Sequence, residues 1–139
     1  MSSEPNPAAD SAVPGRPRRS ILFVCTGNTC RSPLAEALCK RRLAEALGCE
    51  PADLPARGFE VASAGVMAYP GDAASSFAVV VADELGANLT QHRSRAVNPE
   101  QLAKATDILA MTRGHAALLD LRFPGTKVRL LCGEDDLFD

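Results

Sequence analysis

The chain has 139 residues, of which 46% are hydrophobic and 23% are charged, and its formal net charge is −2. This length allows one domain with a substantial hydrophobic core. The charge balance offers no basic stripe for nucleic acid, and no apolar run reaches membrane-spanning length. We therefore expect neither a nucleic-acid partner nor a membrane partner.

The first 19 residues differ in composition from the rest of the chain. Residues 1–19 are rich in Pro, Ser, Ala and charge and show no periodicity, which predicts a disordered tail before a folded domain at 20–139. The N-terminus has no signal-peptide core. Five cysteines are an odd number in a chain that can fold without disulfides, so we expect a reducing, cytoplasmic setting. The cysteines and histidines do not have metal-ligand spacing, and we expect no metal or cofactor.

Strand signals and helix signals alternate along the domain. Apolar runs predict strands over 21–25, 58–65, 107–112 and 127–132. Helix signals predict a helix capped by Ser32 and ended by Gly48, one over 72–86 capped by Asp72, one opened by Asn98, and one over 113–122. This alternation predicts an α/β fold with a parallel sheet, in which ligands bind at the carboxyl ends of the strands.

The first strand runs directly into a polar loop, "CTGNTCRSP", and then into a helix. A strand, a tight loop and a helix start together predict a phosphate-binding loop, because backbone N–H groups and the helix dipole converge on an anion. Gly27 is expected to allow a close approach or an unusual conformation, and Asn28 tolerates left-handed geometry. Arg31 can bind two phosphate oxygens with its planar fork.

Cys25 lies at the floor of this predicted cradle. The helix N-terminus and Arg31 favour its thiolate form, and a hydroxyl from Ser32 can donate to the sulfur. A thiolate beneath a bound phosphate is a nucleophile directed at phosphorus. The alternative is a small buried core cysteine beside a structural loop, which leaves the Gly, Asn, Arg and Ser-Pro residues unexplained.

The segment "VCTGNTCRSPLAEAL" resembles the signature of the low-molecular-weight protein phosphatases. The similarity continues through "SAGVMAYPG", "LGANLTQHRSR" and "ATDILAMTRGH". The resemblance implies a doubly wound domain with a four-stranded parallel sheet and helices on both faces. It also implies metal-free hydrolysis of phosphorylated protein substrates in two steps through a phosphocysteine.

Carried over by position, the resemblance makes Cys25 the nucleophile, Arg31 the phosphate clamp, Ser32 the thiolate-stabilising hydroxyl and Asn28 the loop organiser. His92 is expected to organise a surface turn or to support the cradle from behind. The loop residues expected to bind substrate are Thr26, Gly27, Asn28, Thr29, Cys30 and Ser32.

Thr29 bears on the choice of substrate. The bacterial protein-arginine-phosphatase branch of the family resembles "CTGNTCRSP" with its threonine, whereas tyrosine-specific members usually carry a bulky aliphatic residue there. Phosphoarginine is therefore our first expectation and phosphotyrosine our second, unless Thr29 only satisfies a loop hydrogen bond. Cys30 lies where the family has its second loop cysteine, so it either forms a protective disulfide with Cys25 or simply fills the loop.

The family also supplies an aspartate that protonates the leaving group and activates water. The final residues "DLFD" resemble the approach to this aspartate, which makes Asp139 the candidate; Asp135 and Asp136 fit a solvated acidic turn. By the resemblance, the loop and closing helix that follow in the family are absent, so we expect a shortened chain with a poorly positioned acid. A phosphate-binding module with little turnover is the non-enzymatic alternative. Arsenate reduction needs resolving cysteines, and none lies between Cys49 and Cys132.

Overall fold

The computed structural model describes residues 18–132, so most of the predicted tail and all of Asp135, Asp136 and Asp139 lie outside the described residues. The described part contains four strands: β1 (Arg19–Cys25), β2 (Phe59–Gly65), β3 (Asp107–Ala110) and β4 (Arg129–Leu130). They form one parallel sheet in the order β2-β1-β3-β4. The predicted parallel four-stranded sheet is confirmed, and the strand order reverses beside the central strand β1, as in doubly wound folds.

Helices connect these strands. They are α1 (Arg31–Leu47), α2 (Ser76–Glu84), α3 (Pro99–Lys104) and α4 (Arg113–Arg122), with two short 3-10 turns, Pro51–Asp53 and Pro55–Arg57. Across residues 18–132, no helix combines the length and the apolar character needed to cross a membrane.

Local capping signals place several helix ends as predicted. Gly48 ends α1 in the left-handed conformation, with φ 70°. Asn98 and Gln101 form a reciprocal capping box at the start of α3. The predicted bounds of α4 agree with the structure to the residue, and Thr112 caps it by accepting from the backbone N–H of His115.

Two predicted caps are wrong. Ser32 is the second residue of α1 rather than its cap, because its hydroxyl contacts Cys25 and Asn28 instead of the helix backbone. The second predicted helix begins at Ser76, with Ser75 as its cap, and not at Asp72. Asp72 is unable to start a helix because its backbone bonds in both directions to Ser94, in an extended segment.

Two strands are also shorter than predicted. β3 ends at Ala110 because Thr112 turns away to cap α4. β4 has only two paired residues, Arg129 and Leu130, opposite Leu109 and Ala110 at one edge of the sheet.

Alternating residues of β1 fill two hydrophobic layers, one on each face of the sheet. Leu22 and Val24 pack in one layer with Leu119 of α4. Phe23 and Cys25 pack in the other, against the partly buried apolar face of α1. Each fully buried aliphatic side chain contributes about 1.5–3 kcal/mol, so both layers fix the end of β1, where Cys25 lies. The expected helices on both faces are confirmed.

An ion cluster ties β1, β3 and β4 together at the opposite end of the sheet. Asp107 accepts from Arg19 at 2.6 Å and from Arg129 at 3.2 Å. Burial by itself raises the pKa of the Asp107 carboxyl, but hydrogen bonds from Arg19 and Thr106 and the charges of both arginines hold this pKa below its ordinary value of 3.8. A lowered folded-state pKa means that the ionised form stabilises the fold, and that this stabilisation is lost as the pH falls below 3.8.

We expect Asp107→Asn to lower the free energy of unfolding by about 1 kcal/mol at pH 7, since the cluster is partly exposed, and by much less near pH 3. Urea denaturation at both pH values measures the difference. Asp120→Asn is the matched control, because Asp120 is exposed on α4. An equal loss at both pH values would contradict this account.

Candidate active site

Three segments meet at the carboxyl edge of the sheet. They are the loop that follows β1, the loop that follows β2, and the first turn of α4. The carbonyl of Cys25 accepts from the N–H of Val66, and the carbonyl of Thr26 accepts from the N–H of Met67, both at 2.9 Å. The Thr26 hydroxyl lies 2.8 Å from Nε2 of His115 in the first turn of α4. The start of the loop after β1 is therefore held from both sides.

Asn28 organises the middle of this loop. It is fully buried, and its φ of 58° is the only positive non-glycine φ in the part of the chain that the structure describes. Its backbone carbonyl accepts from Nε2 of His92 at 2.7 Å, so that nitrogen carries a proton. The predicted left-handed Asn28 and the predicted support from His92 are both confirmed.

The orientation of the Asn28 side-chain amide is fixed by its neighbours. Its Oδ1 accepts from the backbone N–H of Arg95 at 2.9 Å, a group that can only donate. The Nδ2 must then face the other way, where it donates to the hydroxyls of Ser32 and Ser63, each at 2.9 Å.

A carboxylate anchors the far end of this chain of hydrogen bonds. Ser63 donates to Oε1 of Glu36 at 2.6 Å, and Lys40 donates to Oε2 at 2.7 Å. An ionised carboxylate can only accept, so the Ser63 hydroxyl donates to Glu36 and accepts from Asn28. Ser32 likewise accepts from Asn28 and keeps its own proton for another partner.

That partner is the sulfur of Cys25, 2.8 Å from the Ser32 hydroxyl. Cys25 is buried at the end of β1 with 3% exposure, and the ordered network presents a proton donor to it. A thiolate is the form of cysteine that gains most from such a donor, because hydrogen bonds to charged groups are the stronger ones. The predicted thiolate-stabilising contact of Ser32 is thus present in the structure.

The N-terminus of α1 forms the adjoining wall. The helix begins at Arg31, Cys30 makes no side-chain cap, and the first turn has no acidic residue. N–H groups in the first turn of a helix have no intrahelical acceptor, so this end favours an anion. Arg31 is half-buried at the first helical position, next to where the anion would lie.

The structure corrects the expected part played by Gly27. Its φ is not positive, and an added Cβ would meet only the hydroxyl of Thr29, at 3.8 Å. The crowded glycine is Gly65 at the end of β2, where a Cβ would lie 2.4 Å from the carbonyl oxygen of Thr26 and 3.0 Å from the backbone nitrogen of Asn28. Sequence reasoning missed Gly65; only its position at a strand end could have marked it.

The remaining loop residues lie toward α2. The carbonyl of Thr29 accepts from the N–H of Ser75 at 2.8 Å, which joins the loop to the cap of that helix. Cys30 packs against an apolar cluster formed by α1 and α2, and both Cys25 and Cys30 are free thiols. This packing fits the interpretation of Cys30 as a loop filler.

The proposed acid, Asp139, lies outside the described residues, so the structure brings together Cys25, Arg31 and the loop but does not include it. Within residues 18–132, no group of three or more His, Cys, Asp or Glu side chains could hold a metal ion. Sequence reasoning also missed Ser63 and His115, which reach the loop from distant segments, and Glu36 of α1, which accepts from Ser63.

The chain belongs to the family of low molecular weight phosphotyrosine protein phosphatases, whose profile matches residues 20–134. It is 46% identical over 107 residues to a protein-arginine-phosphatase of Geobacillus stearothermophilus, a match that covers 77% of this chain and 64% of that relative. A second protein-arginine-phosphatase, from Bacillus subtilis, is 41% identical over 103 residues, covering 74% and 62%. The chain thus spans less than two thirds of the length of these curated relatives.

Solved structures are similar as well. The YwlE arginine phosphatase from Geobacillus stearothermophilus superposes with a TM-score of 0.72 at 40% identity, covering 87% of this chain and 75% of that chain. This agreement in fold is consistent with the doubly wound architecture described above.

We expect Glu36→Gln to slow alkylation of Cys25 by iodoacetamide about five- to tenfold at neutral pH, because Ser63 loses its carboxylate acceptor and then holds the Asn28 amide, and through it Ser32, less firmly, a loss worth about 1 kcal/mol. Mass spectrometry that resolves Cys25 from the other four cysteines measures the rate. Glu45→Gln, which removes a carboxylate of the same helix that pairs with Arg41, should leave it unchanged. Equal rates in the two variants would show that Glu36 does not support the contact of Ser32 with Cys25.

We expect Gly65→Ala to weaken binding of inorganic phosphate more than tenfold, because the new Cβ collides with two backbone atoms of the loop. Calorimetric titration measures the affinity. Gly48→Ala is the control, because its φ of 70° is strained for alanine and nothing lies within 4 Å of the new Cβ. It should cost about 1 kcal/mol of stability and leave the affinity for phosphate unchanged. Undiminished phosphate binding by Gly65→Ala would show that the loop does not depend on this contact.

Proposed function

We propose that this chain is a cytoplasmic protein phosphatase that hydrolyses phosphoarginine through a phosphocysteine on Cys25. The observation that carries the proposal is the 2.8 Å contact between the Cys25 sulfur and the Ser32 hydroxyl, beneath the N-terminus of α1. A thiol held in this way is placed to attack an anion in the cradle. Five free cysteines support a reducing compartment.

In the first step, the Cys25 thiolate attacks phosphorus; the S–P bond forms while the P–N bond to the guanidine breaks. Arg31 and the loop N–H groups stabilise the negative charge on the phosphoryl oxygens. Asp139 is our candidate for the acid that gives the departing guanidine its proton. In the second step, Asp139 takes a proton from water, the oxygen attacks phosphorus, and the S–P bond breaks to return the thiolate, with Ser32 again donating to it.

Two observations support phosphoarginine over phosphotyrosine. Relatives that are 46% and 41% identical carry the name protein-arginine-phosphatase, and Thr29 places a hydroxyl in the loop rather than a bulky aliphatic group. A hydroxyl can orient a polar attacking group such as water and offers less apolar surface to an aromatic ring. The description of the family as phosphotyrosine protein phosphatases makes phosphotyrosine the second candidate substrate.

Single-turnover release of phosphate from phosphoarginine and phosphotyrosine peptides tests this proposal. We expect release from phosphoarginine that Cys25→Ser abolishes, and Thr29→Val should shift the preference toward phosphotyrosine about tenfold. A preference for phosphotyrosine in the parent chain would overturn the choice of substrate. Phosphate binding with no release from either peptide would identify a binding module instead of an enzyme.

A further inference from the structure

A second cavity lies along α1, away from the predicted cradle. Its volume is about 330 Å³, and it lies between α1 and the segment that runs from Asn88 to Arg95. Glu36 and Lys40 line it from the helix, five and nine residues beyond Arg31. At a rise of about 1.5 Å per residue, these side chains begin roughly 8–14 Å from the start of the helix. The cavity is therefore separate from the loop that holds Cys25.

The charge of this second cavity is opposite to that of the whole chain. Lys40, Arg93 and Arg95 line it against the single carboxylate of Glu36, in a chain whose net charge is −2. Both oxygens of Glu36 already accept hydrogen bonds, from Ser63 and from Lys40. A ligand that enters this second cavity therefore meets mainly donors.

The remaining polar lining has the same character. The side-chain amides of Asn88 and Gln91 add further N–H donors. The guanidinium of Arg93 uses Nη1 to donate to the backbone carbonyl of His92 at 2.7 Å, which fixes the arginine at the rim. Arginine has five N–H donors, so the others remain able to take a phosphate oxygen.

His92 connects this second cavity to the catalytic loop. It lines the cavity, and its Nε2 donates to the backbone carbonyl of Asn28, the residue whose amide directs Ser32 toward Cys25. A ligand that contacts the His92 ring in this cavity restrains the same ring that donates to Asn28. Occupancy of the cavity and the geometry of the loop are thereby coupled.

We propose that the second cavity is an anion site for a small phosphate compound free in solution, and that its occupant alters turnover through His92 and Asn28. The cavity volume accommodates a phosphate or pyrophosphate group, and the three cationic side chains suit two or more negative charges. The binding site does not depend on the proposed phosphatase function, whereas the effect on turnover does.

Titration of the full-length chain with inorganic pyrophosphate, followed by NMR, tests the site. The side-chain amide of Gln91 reports the second cavity and the backbone amide of Gly27 reports the loop, so two separate binding curves are expected. Arg93→Gln should weaken the Gln91 curve about tenfold and change the Gly27 curve much less. Arg93→Lys, which keeps the charge, should retain more of the affinity than Arg93→Gln and guards against a local distortion by the first variant.

Arg42→Gln is the matched control, because it removes the same charge from an exposed position of α1 that lines a different groove. It should leave both curves unchanged. The proposal is overturned when Gln91 shows no shift, when it follows the Gly27 curve, or when Arg42→Gln weakens binding as much as Arg93→Gln.

Steady-state phosphate release tests the coupling. Pyrophosphate that competes only at the loop raises KM alone, whereas occupancy of the second cavity should also change kcat, and Arg93→Gln should remove that change. An unaltered kcat at saturating pyrophosphate would overturn the coupling. Absence of all phosphatase activity would count against the proposed function alone, since the NMR titration requires no turnover.

Discussion

The site depends on the complete hydrogen bonding of one buried amide. Asn28 combines a left-handed backbone with full burial, and each condition costs free energy unless it is compensated. Hydrogen bonds supply the compensation. The Asn28 side chain bonds to Arg95, Ser32 and Ser63, and its backbone carbonyl accepts from His92. Because these partners lie on three separate segments, the loop adopts its curved shape only where the surrounding fold brings those segments together.

One helix joins this network to the phosphate end of the loop. α1 supplies Arg31 and Ser32 in its first turn and Glu36 in its second, so a single rigid element carries the proposed anion-binding N-terminus and the carboxylate that accepts from Ser63. The arrangement also resolves an electrostatic conflict. A carboxylate beside the cradle would repel phosphate, whereas Glu36 acts from the far side of Ser63 and is neutralised by Lys40 at 2.7 Å.

Local signals in the sequence predicted most of the elements, because strand runs, capping residues and helix stops are read within a few positions. Gly48 and Asn98 behaved as these rules require. Prediction failed where a distant partner decided the outcome: Ser32 serves Cys25 rather than the helix end, and Asp72 is held by Ser94. The position of Cys25 at the end of a strand and the left-handed backbone of Asn28 could be predicted from the local sequence. The residues that support the loop could not be predicted, since Ser63 is 35 residues and His115 is 89 residues from the loop residues that they contact.

The register of the sheet explains why those distant supports arrive at the right place. In the parallel pairing of β1 with β2, Phe23 lies opposite Ser63 and Cys25 lies opposite Gly65. The only glycine of β2 therefore adjoins Cys25, where the loop passes too closely for a Cβ. A slip of one residue would place Ala64 there and would turn Ser63 to the opposite face, because side chains alternate along a strand. The same hydrophobic layers that fix Leu22 and Phe23 on opposite faces of the sheet exclude that slip, so the packing of the core determines the chemistry of the loop.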